Sequence, residues 1–222
     1  DAGIAAGVVI FATGCAATSG PAFARLVGLD PELTLLATLA TTVLVPLSAP
    51  PMAHLLMGVD LALSVPAFML RLLLAVGVPI AASLLIRRAA GQARLAPYGP
   101  AVDGAVVWLV VLYGFGVMQG LAARMLADPV WVASAAAAAF LAAFGLNLVT
   151  TLAFWPLGWG TAGASGLMSG NRNMALYLAV LPAAADPRVG LFFALCQFPL
   201  FLSPFLLRPV YARVTDWVGR RG

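Results

Sequence analysis

Apolar stretches long enough to cross a bilayer recur from one end of this chain to the other, and they restrict what it can fold into. Of its 222 residues, 63% are hydrophobic and 9% are charged, against about 25% charged in a soluble domain. Hydrocarbon offers no water to an unpaired amide, so only helices and closed barrels span it. Barrel strands would alternate apolar and polar residues, and these runs do not. The expected fold class is therefore an all-α integral membrane protein, a polytopic helix bundle with the lipid bilayer as its first partner. Seven spans are expected, at roughly 4–28, 31–58, 61–88, 98–124, 129–157, 162–184 and 187–213. Turn chemistry separates them at Gly58-Val59-Asp60, Arg87-Arg88 with Gly91, Asp128-Pro129, Gly158-Trp159-Gly160 and Asp186-Pro187. Asp before Pro starts a helix well, with Asp as cap and Pro in the first turn.

Two of the seven stretches are interrupted. The sixth contains Ser169-Gly170-Asn171-Arg172-Asn173-Met174. Gly and Asn are poor interior helix formers, and a mid-membrane arginine costs at least about 2.5–3.5 kcal/mol. Irregular backbone at that depth survives only when it is buried in protein or lines a watery cavity. The first stretch is interrupted at Thr18-Ser19-Gly20-Pro21. Three readings of Arg172 stay open: contact with a solute, a salt bridge inside the bundle, or a misplaced span. Asp30, Glu32, Asp60, Asp103, Asp128 and Asp186 all fall near expected helix ends, so none stands out as a partner. A guanidinium beside a half-helix N-terminus favours an anion such as a carboxylate. Arg172, Asn171, Asn173, Ser169 and Ser19 are the candidate solute-binding residues. The competing role for the asparagines, for Thr18 and for Ser19 is to satisfy backbone groups freed by the breaks. Thr34, Thr38, Thr41 and Thr42 suit interhelical hydrogen bonds. Arg71 suits snorkelling. Gln119, Asn147, Thr150, Thr151 and Gln197 suit packing contacts.

The interruptions belong to a repeat. Asp30-Pro31-Glu32-Leu33-Thr34-Leu35 returns as Asp186-Pro187-Arg188-Val189-Gly190-Leu191, 156 residues later. Each copy follows a broken helix and precedes an apolar one that carries prolines, Pro46 and Pro50 or Pro199 and Pro204. Five expected spans separate the copies, so they lie on opposite faces and the repeat is inverted. Broken helices in matching positions of two inverted halves point to a secondary transporter site. Residues 1–58 are read as the last two helices of a first repeat, with its broken helix at 4–28. Residues 59–222 are read as a second five-helix repeat, with its broken helix at 162–184 and a cytoplasmic tail. On that symmetry three upstream helices are missing from the sequence, which starts Asp-Ala-Gly-Ile without Met.

Charge gives the orientation and excludes some functions. All twelve basic residues are arginine. Arg87, Arg88, Arg94, Arg213, Arg220 and Arg221 fall on one side, and Arg124 and Arg188 on the other. The positive-inside rule then puts the C-terminus in the cytoplasm, in what is expected to be a bacterial inner (plasma) membrane. No basic run interleaved with aromatics exists, so no nucleic-acid partner is expected. His54 is the only histidine, Cys15 and Cys196 read as small core residues, and no Walker-type loop occurs. With no acid, base or metal cluster in view, an enzyme is not expected, and neither is a cofactor.

Gly14-Cys15-Ala16-Ala17-Thr18-Ser19-Gly20, with Pro46 and Pro50, and Gly170-Asn171-Arg172-Asn173 give the chain a resemblance to the bile acid:sodium symporter family. The resemblance covers nearly the whole chain. It implies a ten-helix fold of two inverted repeats with two crossing, unwound helices, of which these residues are the fourth through tenth helices. It also implies transport of a small organic anion by alternating access. Thr18 falls on the threonine of the family's Pro-Gly-Gly-Thr-Ala-Ser-Asn, but Gly20 and Pro21 fall on its sodium-ligating Ser and Asn. Thr34 and Thr38 fall on hydroxyl ligands, so Thr18, Thr34 and Thr38 form a degenerate sodium site, and Na⁺ is the one ion implied. In the second pattern, Glu-Val-Gly-Met-Gln-Asn, Met168 stands at the acid and Arg172 at the Gln. A thioether is a poor ligand for a hard cation, and a guanidinium repels one. Arg172 is therefore expected to replace one sodium ion. The alternatives are an ion-independent exchanger and a non-transporting receptor on the same scaffold.

Overall fold

Among the described residues, five helical stretches are long and apolar enough to cross a membrane: Pro31–Leu56, Val65–Ala90, Ala93–Ala127, Pro129–Leu157 and Pro187–Gly219. They come from a computed structural model that describes residues 1–57, 64–180 and 186–220, with the backbone alone at 57, 92, 103, 110, 117, 119 and 120. About 90% of it is helical and no strand occurs among the described residues. The protein is an all-α membrane protein. The turn expected at Gly58–Asp60 and the side chains of Asp103 and Gln119 lie outside the described residues.

The first and sixth expected spans are each divided. α1 (Ala2–Thr13) and α2 (Gly20–Val27) flank the first break. The long helices α3 (Pro31–Met57) and α4 (Val65–Ala90) follow. A short turn, α5 (Gln92–Leu95), leads into α6 (Gly99–Ala127) and then α7 (Pro129–Phe154). α8 (Trp159–Gly170) and α9 (Met174–Val180) flank the second break. The two breaks are built alike: α1 and α8 have 12 residues each, and α2 and α9 have 8 and 7. A 12-residue helix is ~18 Å long and cannot cross a ~30 Å hydrocarbon core alone.

The last expected span runs as one apolar helical stretch, Pro187–Gly219, with a single turn residue, Cys196, between α10 (Pro187–Leu195) and α11 (Gln197–Gly219). Pro199 explains the turn, because it has no N–H for the Leu195 carbonyl and its ring crowds that carbonyl.

Aspartates start four of these helices. Asp1 Oδ1 accepts from Gly3 N at 2.9 Å, Asp30 Oδ1 from Glu32 N at 2.8 Å, Asp128 Oδ1 from Trp131 N at 3.1 Å and Asp186 Oδ1 from Arg188 N at 2.9 Å. Asp30 and Asp186 are the matching caps of the sequence repeat. Replacing either with Ala is expected to lower unfolding stability by about 1 kcal/mol, and Asn should restore most of it. Thermal melting of the two pairs of variants checks this.

The core gathers around the breaks. Phe11, Tyr177, Phe192 and Phe193 are fully buried. Tyr177 meets Phe193 and Phe68 edge-on, at ring centroid distances of 6.5 and 6.3 Å, and its hydroxyl donates to the Thr13 carbonyl at 3.4 Å. α8 lies closely along α7 through small residues. Asn147, on the α7 side, donates through Nδ2 to Tyr211 Oη at 2.8 Å. Leucines and valines on α3, α4, α6 and α7 stay exposed, as residues facing lipid tails do. Trp155 packs against Trp159 and Trp217 near helix ends, where aromatic anchors meet the headgroups.

Candidate functional site

The two breaks meet. Ala16 and Arg172 form an antiparallel β-bridge. Ala17 N donates to the Asn171 carbonyl at 2.8 Å, and Asn173 N donates to the Cys15 carbonyl at 2.9 Å. Unwound backbone needs partners in a membrane, and each break supplies them to the other. Thr41 adds one more, its Oγ1 accepting from Ala16 N at 3.2 Å. Gly14 brings the segments close, since a Cβ there would sit 3.1 Å from Met174 Cε and 3.3 Å from Tyr177 Cε2.

Arg172 lies across this crossing. Its Nε–H donates to the Ser169 carbonyl at 2.9 Å, and its Nη1 donates to the Gly14 carbonyl at 2.7 Å. Both acceptors belong to the C-terminal ends of half-helices, which leave carbonyls unpaired. The ion pairs among the described residues are Arg124–Asp128 and Arg188–Asp1, at 3.2 and 3.0 Å, and neither involves Arg172. Of the open readings, the salt bridge thus has no acid among the described residues, and Arg172 bridges backbone ends instead. Arg71 acts similarly, its Nη1 donating to the Val180 carbonyl of α9 at 3.3 Å.

A cavity of about 500 Å³ opens beside the crossing. Ala17, Thr18 and Ser19 of the first break line it, with Arg172 and Asn173 of the second. Tyr113, Gly114 and Met118 of α6 form one wall, and Gln197, Phe198, Leu200 and Phe201 of α11 another. Arg172 is the only charged side chain among these residues, and most of the lining is apolar. Tyr113 Oη is buried with no hydrogen-bond partner among the described residues.

Four expected residues therefore meet at the cavity: Arg172, Asn173, Ser19 and Thr18. Asn173 also caps α9, its Oδ1 accepting from Leu176 N at 3.3 Å. Asn171 and Ser169 are not in the lining. Asn171 is 1% exposed and its Oδ1 accepts from Ser203 Oγ at 2.9 Å. Ser169 contributes its carbonyl to Arg172. Thr34 and Thr38 are also outside the cavity. Thr34 Oγ1 donates to the Pro31 carbonyl of its own helix at 2.9 Å. Thr38 Oγ1 is buried without a partner among the described residues and lies against Gly20, just beyond Thr18. No group of three or more metal-ligating side chains occurs among the described residues.

Sequence reasoning did not single out Tyr113, Met118, Phe198 and Phe201. An aromatic or Met in an apolar span reads the same whether it faces lipid or a cavity. The one available signal was the Tyr113 hydroxyl, a polar atom in the middle of an apolar run.

The chain matches no protein-family model and no curated protein.

Proposed function

We propose that this protein is a secondary transporter of a small organic anion, with a bile acid:sodium symporter-like fold of two inverted repeats. One observation carries the reading: a single guanidinium stands in the wall of a 500 Å³ cavity that is otherwise mostly apolar. Pockets of this size and character suit small ligands held by a few polar groups. The Nη2 amine and one N–H of Nη1 are not used by the carbonyls of Ser169 and Gly14. They form a fork that suits a carboxylate or sulfonate, and Asn173, Ser19, Thr18 and Tyr113 line the same cavity. The phenyl and aliphatic walls favour a solute with an apolar body over an inorganic anion. The site lies where two broken helices cross, and such crossings are where discontinuous-helix transporters bind substrate. Alternating access then moves α6 and its neighbours against the crossing. Inner-membrane location with a cytoplasmic C-terminus belongs to the same proposal, supported by the arginine bias.

The test is a thermal-shift panel on the purified protein, with aliphatic and aromatic monocarboxylates and sulfonates beside their neutral amides. Anions should stabilise and amides should not. A ligand at 100 times its Kd adds about 2.7 kcal/mol, and uptake into proteoliposomes follows for the best anion. Equal stabilisation by acids and amides, or by neither, sinks the anion reading. Stabilisation without uptake favours a receptor.

A further inference from the structure

We propose that the crossing of the two breaks is a monovalent-cation site made of backbone carbonyls, and that Arg172 fills it permanently with its own guanidinium. Two half-helices, α1 and α8, end at the crossing with their C-termini. Each C-terminus carries about −0.5 elementary charge, so the pair presents about one negative charge to the guanidinium. Gly14 and Ser169 direct their carbonyls onto it at 2.7 and 2.9 Å. None of the ion pairs among the described residues brings a carboxylate there. Half-helix C-terminal ends and unwound carbonyls are the groups that coordinate a bound cation in transporters of this kind. Here the side chain three residues beyond Ser169 performs that task, and no dissociable ion is needed to hold the breaks together.

The Nε and Nη1 side of Arg172 holds the backbone, while the remaining N–H groups serve the anion proposed above. The two assignments concern one residue but different atoms, and they fail separately. The anion reading depends on ligand binding, whereas the cation inference depends only on the stability of the ligand-free protein.

The experiment compares melting of the full chain and its Arg172→Ala variant in sodium chloride, choline chloride and guanidinium chloride. The salts are held at equal ionic strength and well below denaturing concentration. The unaltered protein should melt at the same temperature in sodium and in choline. Arg172→Ala should melt roughly 5–10 °C lower, and guanidinium, but not choline, should recover at least half of that loss. A sodium-specific rise in the unaltered protein would overturn the inference, because a filled site cannot take an ion. So would an Arg172→Ala protein that guanidinium leaves unchanged. Should Arg172→Ala not fold, Arg172→Lys and Arg172→Gln replace it. Lys keeps the charge and should melt clearly above Gln, and equal melting of the two would overturn the inference.

Discussion

Arg172→Gln is expected to weaken binding of a monoanionic solute by roughly 10–150-fold, with membrane insertion intact. The estimate follows from removing a charge-assisted hydrogen bond, worth about 1.5–3 kcal/mol, with 1.4 kcal/mol per factor of ten. Glutamine can still donate one hydrogen bond at the crossing, but it brings no charge to the cavity and no fork. The measurement is the Kd of the best anion from the panel, referred to the folded fraction of each sample. That correction matters because Arg172 also holds the carbonyls of Gly14 and Ser169, so the variant will be less stable as well. A Kd per folded molecule within a factor of two of the unaltered protein would show that Arg172 is purely structural. A neutral ligand should bind both proteins alike, which separates loss of charge from collapse of the cavity.

The dual position of Arg172 shows where sequence reasoning reached its limit. Long apolar runs fixed helices as the only spanning element, and Gly-Asn-Arg-Asn marked the second break, because both are local properties. The repeat of Asp-Pro after each break was equally legible, and both aspartates are indeed caps. Contacts between the breaks were not legible. Ala16 and Arg172 lie 156 residues apart and pair through backbone groups, which carry no residue-specific signal. For the same reason the positions of the acidic residues do not reveal what Arg172 touches among the described residues. Its partners are carbonyls, and every residue has one. The direction of each side chain in the break was equally hidden. Asn171 and Arg172 are adjacent, yet one is buried against Ser203 and the other lines the cavity. Composition places both at the break but cannot say which side of the crossing each faces. The turn at Cys196 within the otherwise continuous last span was hidden as well, because a proline acts on the carbonyl four residues earlier, and Pro199 alone does not say whether the helix bends or separates.

The stability of the site depends on how closely α8 can approach α7, and Gly166→Ala should show this most directly. A Cβ at Gly166 would collide with Thr151 Oγ1 and sit 2.8 Å from the Asn147 backbone carbonyl. The hydroxyl can rotate away, but the carbonyl is fixed in its helix, so the helices must separate. Gly170, one turn further and next to the break, faces the Ala143 carbonyl at 2.6 Å in the same sense. Small residues spaced by four are what allow membrane helices to pack at this distance. Overpacking of this kind costs about 1–3 kcal/mol, or roughly 2–12 °C of melting temperature for a chain of this length. Gly145→Ala on α7 is the matched control, since nothing lies within 4 Å of a Cβ there. Alanine is favoured over glycine in a helix by about 0.5–1 kcal/mol, so this control should melt unchanged or slightly higher. The two substitutions are chemically identical and differ only in what the added methyl meets, so opposite signs assign the effect to the α7–α8 contact. Because α8 ends at the break that carries Arg172, Gly166→Ala should also weaken anion binding without touching the cavity lining. If both variants melt like the unaltered protein, the helices are not packed through Gly166, and the position of Arg172 must be held by the crossing alone.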